Sequence, residues 1–90
     1  MIEKKFKITS EQGLHARPAT LLVQLANEFN CKIELTLGKT TIDFKSIMGV
    51  ISIGAYKGEV INIACSGEDE KEAMEKIEFQ ILDLKLAKEL

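Results

Sequence analysis

The chain reads as an α+β domain, an antiparallel sheet covered on one side by helices, in the order βαββαβα. Three observations predict it. Four segments alternate apolar and polar residues, two longer segments repeat apolar residues at steps of three and four, and one short apolar run follows a serine. At 90 residues the chain is a single domain spanning residues 1–90, and 46% hydrophobic residues suffice for one core. Strands with one apolar face need one covering layer, so helices between them imply an antiparallel sheet with its other face in water.

Each element has its own signal. Ile2, Phe6 and Ile8 fall on one side of the first strand and Glu3, Lys5 and Lys7 on the other, with one lapse at Lys4. Ser10-Glu11-Gln12-Gly13 is a loop. From Ala16 to Phe29 the spacing of Ala19, Leu22, Val23, Ala26 and Phe29 is helical, and Asn30 ends the helix. Pro18 lies in its first turn, where a missing N–H costs little. Cys31, Ile33, Leu35 and Leu37 alternate with Lys32, Glu34 and Thr36. Gly38-Lys39 then turns the chain into a partner strand carrying Thr40, Ile42 and Phe44, a hairpin. Ser46 stands at the N-cap position of a short helical turn, Ile47–Ile51. Gly54 and Gly58 bracket a loop around Tyr56, and residues 59–66 form a fourth strand with Ile61, Ile63 and Cys65 on one face. Asp69-Glu70-Lys71-Glu72 resembles a capping box. The last helix buries Ala73, Met74, Ile77, Ile81 and Leu84, and Ala87-Lys88-Glu89-Leu90 are expected to extend it.

Composition excludes several function classes. Twelve basic against 14 acidic residues give a net charge of −2, without the basic face that nucleic acid demands. Four Phe and Tyr56 are too few aromatics for a base-stacking platform. Apolar runs reach only about three residues, as in Leu21-Leu22-Val23, against the ~20 of a membrane span. The N-terminus, Met1-Ile2-Glu3-Lys4-Lys5-Phe6-Lys7, has no apolar signal core, so the protein is expected in the cytoplasm, without membrane insertion. Cys31 and Cys65 are 34 positions apart and read as buried reduced thiols. With a single histidine the chain lacks a metal-ligand set, and no cofactor is expected. Gly38-Lys39-Thr40 mimics the end of a phosphate-binding loop, but the glycine required five residues earlier is Ile33. No Ser or Cys nucleophile has a second base available, which leaves a hydrolase reading unsupported.

One constellation carries chemistry: Gly13-Leu14-His15-Ala16-Arg17-Pro18. His15 lies where a loop becomes a helix. The free N–H groups of the first turn, at Ala16 and Arg17, and the positive end of the helix dipole attract an anion. That end also disfavours imidazolium and favours a neutral, nucleophilic ring. Arg17 offers a planar set of donors for phosphate oxygens. Together they suit a phosphoryl group held covalently on His15. On residue types alone, an ordinary helix cap with a solvated arginine beside it is the commoner reading, since helix starts with His and Arg are common.

The segment Gly13-Leu14-His15-Ala16-Arg17-Pro18-Ala19-Thr20 resembles the phosphorylation-site signature of HPr, the histidine-containing phosphocarrier family of the bacterial phosphoenolpyruvate:sugar phosphotransferase system. Phe44-Lys45-Ser46-Ile47-Met48-Gly49-Val50 is similar to that family's second signature, and the length and the spacing between the two also fit. The resemblance implies an open-faced β-sandwich of four antiparallel strands with three helices on one face. It implies that His15 carries the phosphoryl group on Nδ1, that Arg17 steadies it, and that the protein is a covalent intermediate in phosphoryl transfer, not itself an enzyme. The implied partners are enzyme I, the IIA domains of sugar permeases, an HPr kinase/phosphorylase acting on Ser46 and a catabolite-control transcription factor. The protein is expected to act as a monomer. Leu21, Gln24, Ile47, Met48 and Ile51 flank the two signatures and are candidates for the surface that partners share. Ile51 stands where the family often has Met or Leu, a difference that bears on partner affinity. An alternative is a regulatory adaptor working through phospho-Ser46 on a transcription factor or enzyme, without phosphate relay. A third class, a small-ligand-binding module, leaves His15 and Arg17 without a role.

Overall fold

A computed structural model describes residues 1–90. The period-two segments form β1 (Ile2–Ile8), β2 (Lys32–Leu37), β3 (Thr40–Asp43) and β4 (Val60–Ser66), and the helical segments form α1 (Ala16–Ala26), α2 (Ile47–Ile53) and α3 (Glu70–Asp83). A fifth strand, β5 (Ala87–Glu89), follows α3. The sheet is antiparallel throughout, in the order β3-β2-β4-β1-β5.

Register puts the apolar rows on one face. Phe6 pairs with Ile61, Leu35 with Ile63, and Ile33 with Cys65. All six are buried, together with Leu22, Val23, Met74, Ile77 and Ile81 from the helices, and no polar or charged residue is buried with them. A Leu, Ile or Phe so buried stabilises the fold by ~1.5–3 kcal/mol. The other face stays in water and is held by polar cross-strand pairs. Thr36 and Thr41 share a 2.8 Å hydroxyl contact, and Asn62 donates to Glu3 at 3.0 Å.

The lapse at Lys4 has a structural reason. Lys4 lies on the apolar row of β1, but it reaches the helix layer and donates to Glu78 Oε1 of α3 at 2.7 Å, with Glu89 Oε2 of β5 at 3.7 Å. Its charge is therefore paired where the row runs out from under the helices.

Three expectations need correction. Residues 87–90 do not extend the last helix. That helix ends at Asp83 with Leu84 as its half-buried C-cap, and Lys85 at φ 54° reverses the chain. Leu86, 2% exposed, plugs the core, while its carbonyl accepts from Thr9 N and Ser10 N, and Leu90 N donates to Lys5 O. The sheet thus has five strands where four were expected. The second correction concerns α1, which stops at Ala26 although Phe29 keeps its apolar phase. Glu28 N and Phe29 N bond to the carbonyls three residues back, and Asn27 Nδ2 takes Val23 O and Lys45 O, so the last turn tightens and ends. Third, Asp69 is the N-cap residue of α3, yet its side chain makes no capping hydrogen bond. Its two carboxylate oxygens accept from Asn30 N at 2.8 Å and Cys31 N at 2.9 Å, tying the entry to β2 against the start of α3.

Candidate functional site

His15 is the N-cap residue of α1, in extended conformation, and its ring makes no capping bond. Its backbone is occupied: N donates to Gly13 O at 3.1 Å, and O accepts from Ala19 N at 3.1 Å. The residues before it are anchored. Leu14 is 4% exposed, and its N–H donates to Ala55 O at 2.9 Å. Gly13 has φ +66°, and a Cβ there would stand 2.5 Å from Ala55 O. Only glycine lets the chain approach the segment after α2 so closely. The imidazole is therefore exposed on a backbone fixed from both sides.

Ala16 N and Arg17 N, the first two helical amides, have no backbone acceptor, and Pro18 has no N–H to offer. The Arg17 side chain is exposed and forms no ion pair with an acidic residue. Ala16, Arg17, Thr20 and Leu21 line an open groove of about 440 Å³ beside His15. An exposed imidazole, two unpartnered amides and an unpaired guanidinium thus fall within three consecutive residues at the start of α1, although His15 itself is not among the residues lining the groove.

Ser46 lies outside this groove, at the N-cap of α2, and its Oγ accepts from Gly49 N at 3.0 Å. Ser46 N donates to Asp43 O, which ties the cap to the end of β3. Ile47 and Ile51, one turn apart, are each 39% exposed, Leu21 on α1 is 40% exposed, and Met48 is 76% exposed. Gln24 is exposed one turn beyond Leu21. These five side chains lie on α1 and α2, which pack against each other.

Two contributors were not singled out in the sequence. Thr20 lines the groove and donates its hydroxyl to Ala16 O at 2.8 Å. Its place four residues after Ala16 was the available signal. Ala55 acts through its carbonyl, which no side-chain pattern reveals. Both cysteines are buried, and burial pushes the Cys65 thiol up to about 12. No group of three or more His, Cys, Asp or Glu residues is placed to hold a metal ion, and no helix is long and apolar enough to cross a membrane.

An open-faced sandwich with an exposed histidine and arginine at a free helix start, beside an open groove, defines a class of small α+β proteins without an enclosed substrate pocket. Residues 2–81 match the family model described as the PTS HPr component phosphorylation site. The chain belongs to the HPr family of phosphocarrier proteins of the phosphotransferase system, whose members are carriers and not enzymes. Solved relatives agree. A histidine-containing phosphocarrier protein from Mycoplasma superposes with a TM-score of 0.94 at 31% identity, over 96% of this chain and 98% of that one. The phosphocarrier protein HPr of Bacillus anthracis gives 0.80 at 37% identity, over 88% and 94%. Crh of Bacillus subtilis, a catabolite repression protein that forms a swapped dimer, gives 0.72 at 36%, over 92% and 95%.

Proposed function

We propose that the protein relays a phosphoryl group through His15, taking it from enzyme I, which phosphoenolpyruvate charges, and passing it to the IIA domains of sugar permeases. The supporting observation is the exposed His15 ring beside the unpartnered amides of Ala16 and Arg17 and the unpaired Arg17 guanidinium. In each transfer the Nδ1 lone pair forms a P–N bond as the donor's bond to phosphorus breaks. The return step reverses this. Arg17 and the two amides hold the three non-bridging oxygens, so the charge meets fixed donors and no cofactor is needed. Leu21, Gln24, Ile47, Met48 and Ile51 form the surface that successive partners share. The carrier acts as a monomer in the cytoplasm.

A second role is favoured by Ser46 at the cap of α2 and by the likeness to Crh. HPr kinase/phosphorylase phosphorylates Ser46, and the product both slows the relay and engages a catabolite-control transcription factor. The adaptor role alone leaves His15 and Arg17 unused, so the relay is the primary reading.

The test is phosphorylation by enzyme I and phosphoenolpyruvate. One phosphate is expected, labile in acid and stable in base as a phosphoramidate, and absent from His15→Ala. An acid-stable product, or labelling that survives His15→Ala, would exclude the relay.

A further inference from the structure

The three methionines occupy three environments. Met74 is 2% exposed in the core, Met1 is 74% exposed at the N-terminus beside an amine paired with Glu70, and Met48 is 76% exposed on α2. Met48 shares its helix with the exposed Ile47 and Ile51, and the helix packed against it carries the exposed Leu21. A flexible thioether suits a surface that several partners use. It is also the apolar side chain that a mild oxidant turns into a polar one.

We propose that Met48 is a modification site, oxidised by hydrogen peroxide to the sulfoxide, and that this oxidation weakens partner docking on the α1–α2 surface. The inference rests on the docking role proposed above. The step balances with peroxide alone. A sulfur lone pair attacks one peroxide oxygen and the O–O bond breaks. An S–O bond forms, and the second oxygen leaves as water after a proton shift. Sulfur is oxidised by two electrons and peroxide is reduced by two. The cysteines do not compete, since both are buried.

The sulfoxide oxygen is a strong acceptor. Ile47, Ile51 and Leu21 offer it no side-chain donor, and the one amide of the surface, Gln24, lies on the other helix, one turn beyond Leu21. A partner that closes over the patch therefore leaves that oxygen unpaired and desolvated, or does not close. Because Met48 is outside the core, the fold is unaffected. Methionine sulfoxide reductases, one for each epimer, restore the thioether, so the modification is reversible.

The experiment treats the protein with hydrogen peroxide, removes the excess with catalase, and maps oxidation by peptide mass. The same samples are then phosphorylated by untreated enzyme I over a range of carrier concentrations. The Met48 peptide should gain one oxygen well before the Met74 peptide. The carrier concentration for half-maximal transfer should rise about tenfold, a desolvation-sized effect, with the thermal melt unchanged. Met48→Leu, which keeps the exposed Met1, should show no change on treatment, whatever its own starting value. Full oxidation of Met48 without a rise overturns the proposal, as does equal sensitivity in Met48→Leu or a rise explained by unfolding. If enzyme I fails to phosphorylate the untreated protein, the relay falls, and the docking role of the patch with it.

Discussion

His15 owes its availability to what surrounds it. Leu14 is buried, Gly13 is pressed against Ala55 O, and Pro18 gives no amide, so the chain is rigid on both sides of an unengaged ring. The dipeptide Leu14-His15 thus divides the labour, one side chain anchoring and the next left free for the proposed transfer. The Arg17 side chain, like the His15 ring, is exposed and unpaired. A charge-assisted contact to phosphate is worth ~1.5–3 kcal/mol, about one to two decades of rate when it is made mostly in the transition state. Arg17→Ala should therefore slow transfer by about 10- to 100-fold and leave the melting temperature nearly unchanged. Rapid-quench transfer kinetics beside a thermal melt check this, and a matching loss of stability would make Arg17 structural. The start of α1 at the proposed site was legible in the sequence because motif and helix start coincide there, whereas the Ala55 carbonyl has no side-chain signal and appears only with the fold.

At the scale of elements, the start of α3 is a junction. Asp69 accepts from Asn30 N and Cys31 N, and Glu70 accepts from Gly67 N at 3.0 Å and pairs with the N-terminal amine. These donors, Asn30 N foremost for Asp69 and Gly67 N for Glu70, hold both carboxyls below the usual carboxylate range. A carboxyl with a depressed native pKa gives stability that is present above its unfolded value, near 4, and is lost as pH falls through the folded one. Melting temperature should therefore be flat near neutral pH and fall once pH drops below about 4. Asp69→Asn should melt lower at neutral pH and show a shallower acid fall, as melts across that range will show. An equally steep fall in the variant would place the acid sensitivity elsewhere. The sequence showed Asp69 as a cap because a capping box is a local pattern, and the pairing with residues 30 and 31 is not. β5 was hidden for a similar reason. Ala87, Lys88, Glu89 and Leu90 are ordinary helix formers, and the break before them is made by Lys85 at positive φ, where a glycine would have announced it. Pairing with β1 overrides that local preference. By contrast, β1 to β4 and the cores of all three helices repeat one apolar face often enough to be read directly.

Across the whole molecule, both proposed phosphorylation sites lie in the helix layer, while the opposite sheet face is mostly polar, with Val60 and Ala64 among its charged and hydroxyl side chains. His15 begins α1 and Ser46 begins α2, and these helices pack together with Leu21, Ile47, Met48 and Ile51 exposed on them. A partner that docks on the exposed side chains of α2 sits on the helix that Ser46 caps. Phosphate there adds about −1.5 to −2 charges near neutral pH, and Ser46→Asp adds one to a chain whose net charge is −2. Enclosing that charge against an apolar or acidic partner surface costs more than partial pairing returns. The fold should survive, because aspartate also serves as an N-cap in place of the Ser46 Oγ to Gly49 N bond, and a negative group is favourable at a helix start. Ser46→Asp should thus weaken docking and lower the initial rate of His15 phosphorylation by enzyme I. The deficit should shrink as salt rises, since exposed charges are screened over ~8–10 Å at physiological ionic strength. Initial rates for wild type and Ser46→Asp at low and high salt, each with a thermal melt, decide the matter. A wild-type rate in the mimic means that Ser46 does not gate the relay, and a slow rate from an unfolded mimic removes the electrostatic account.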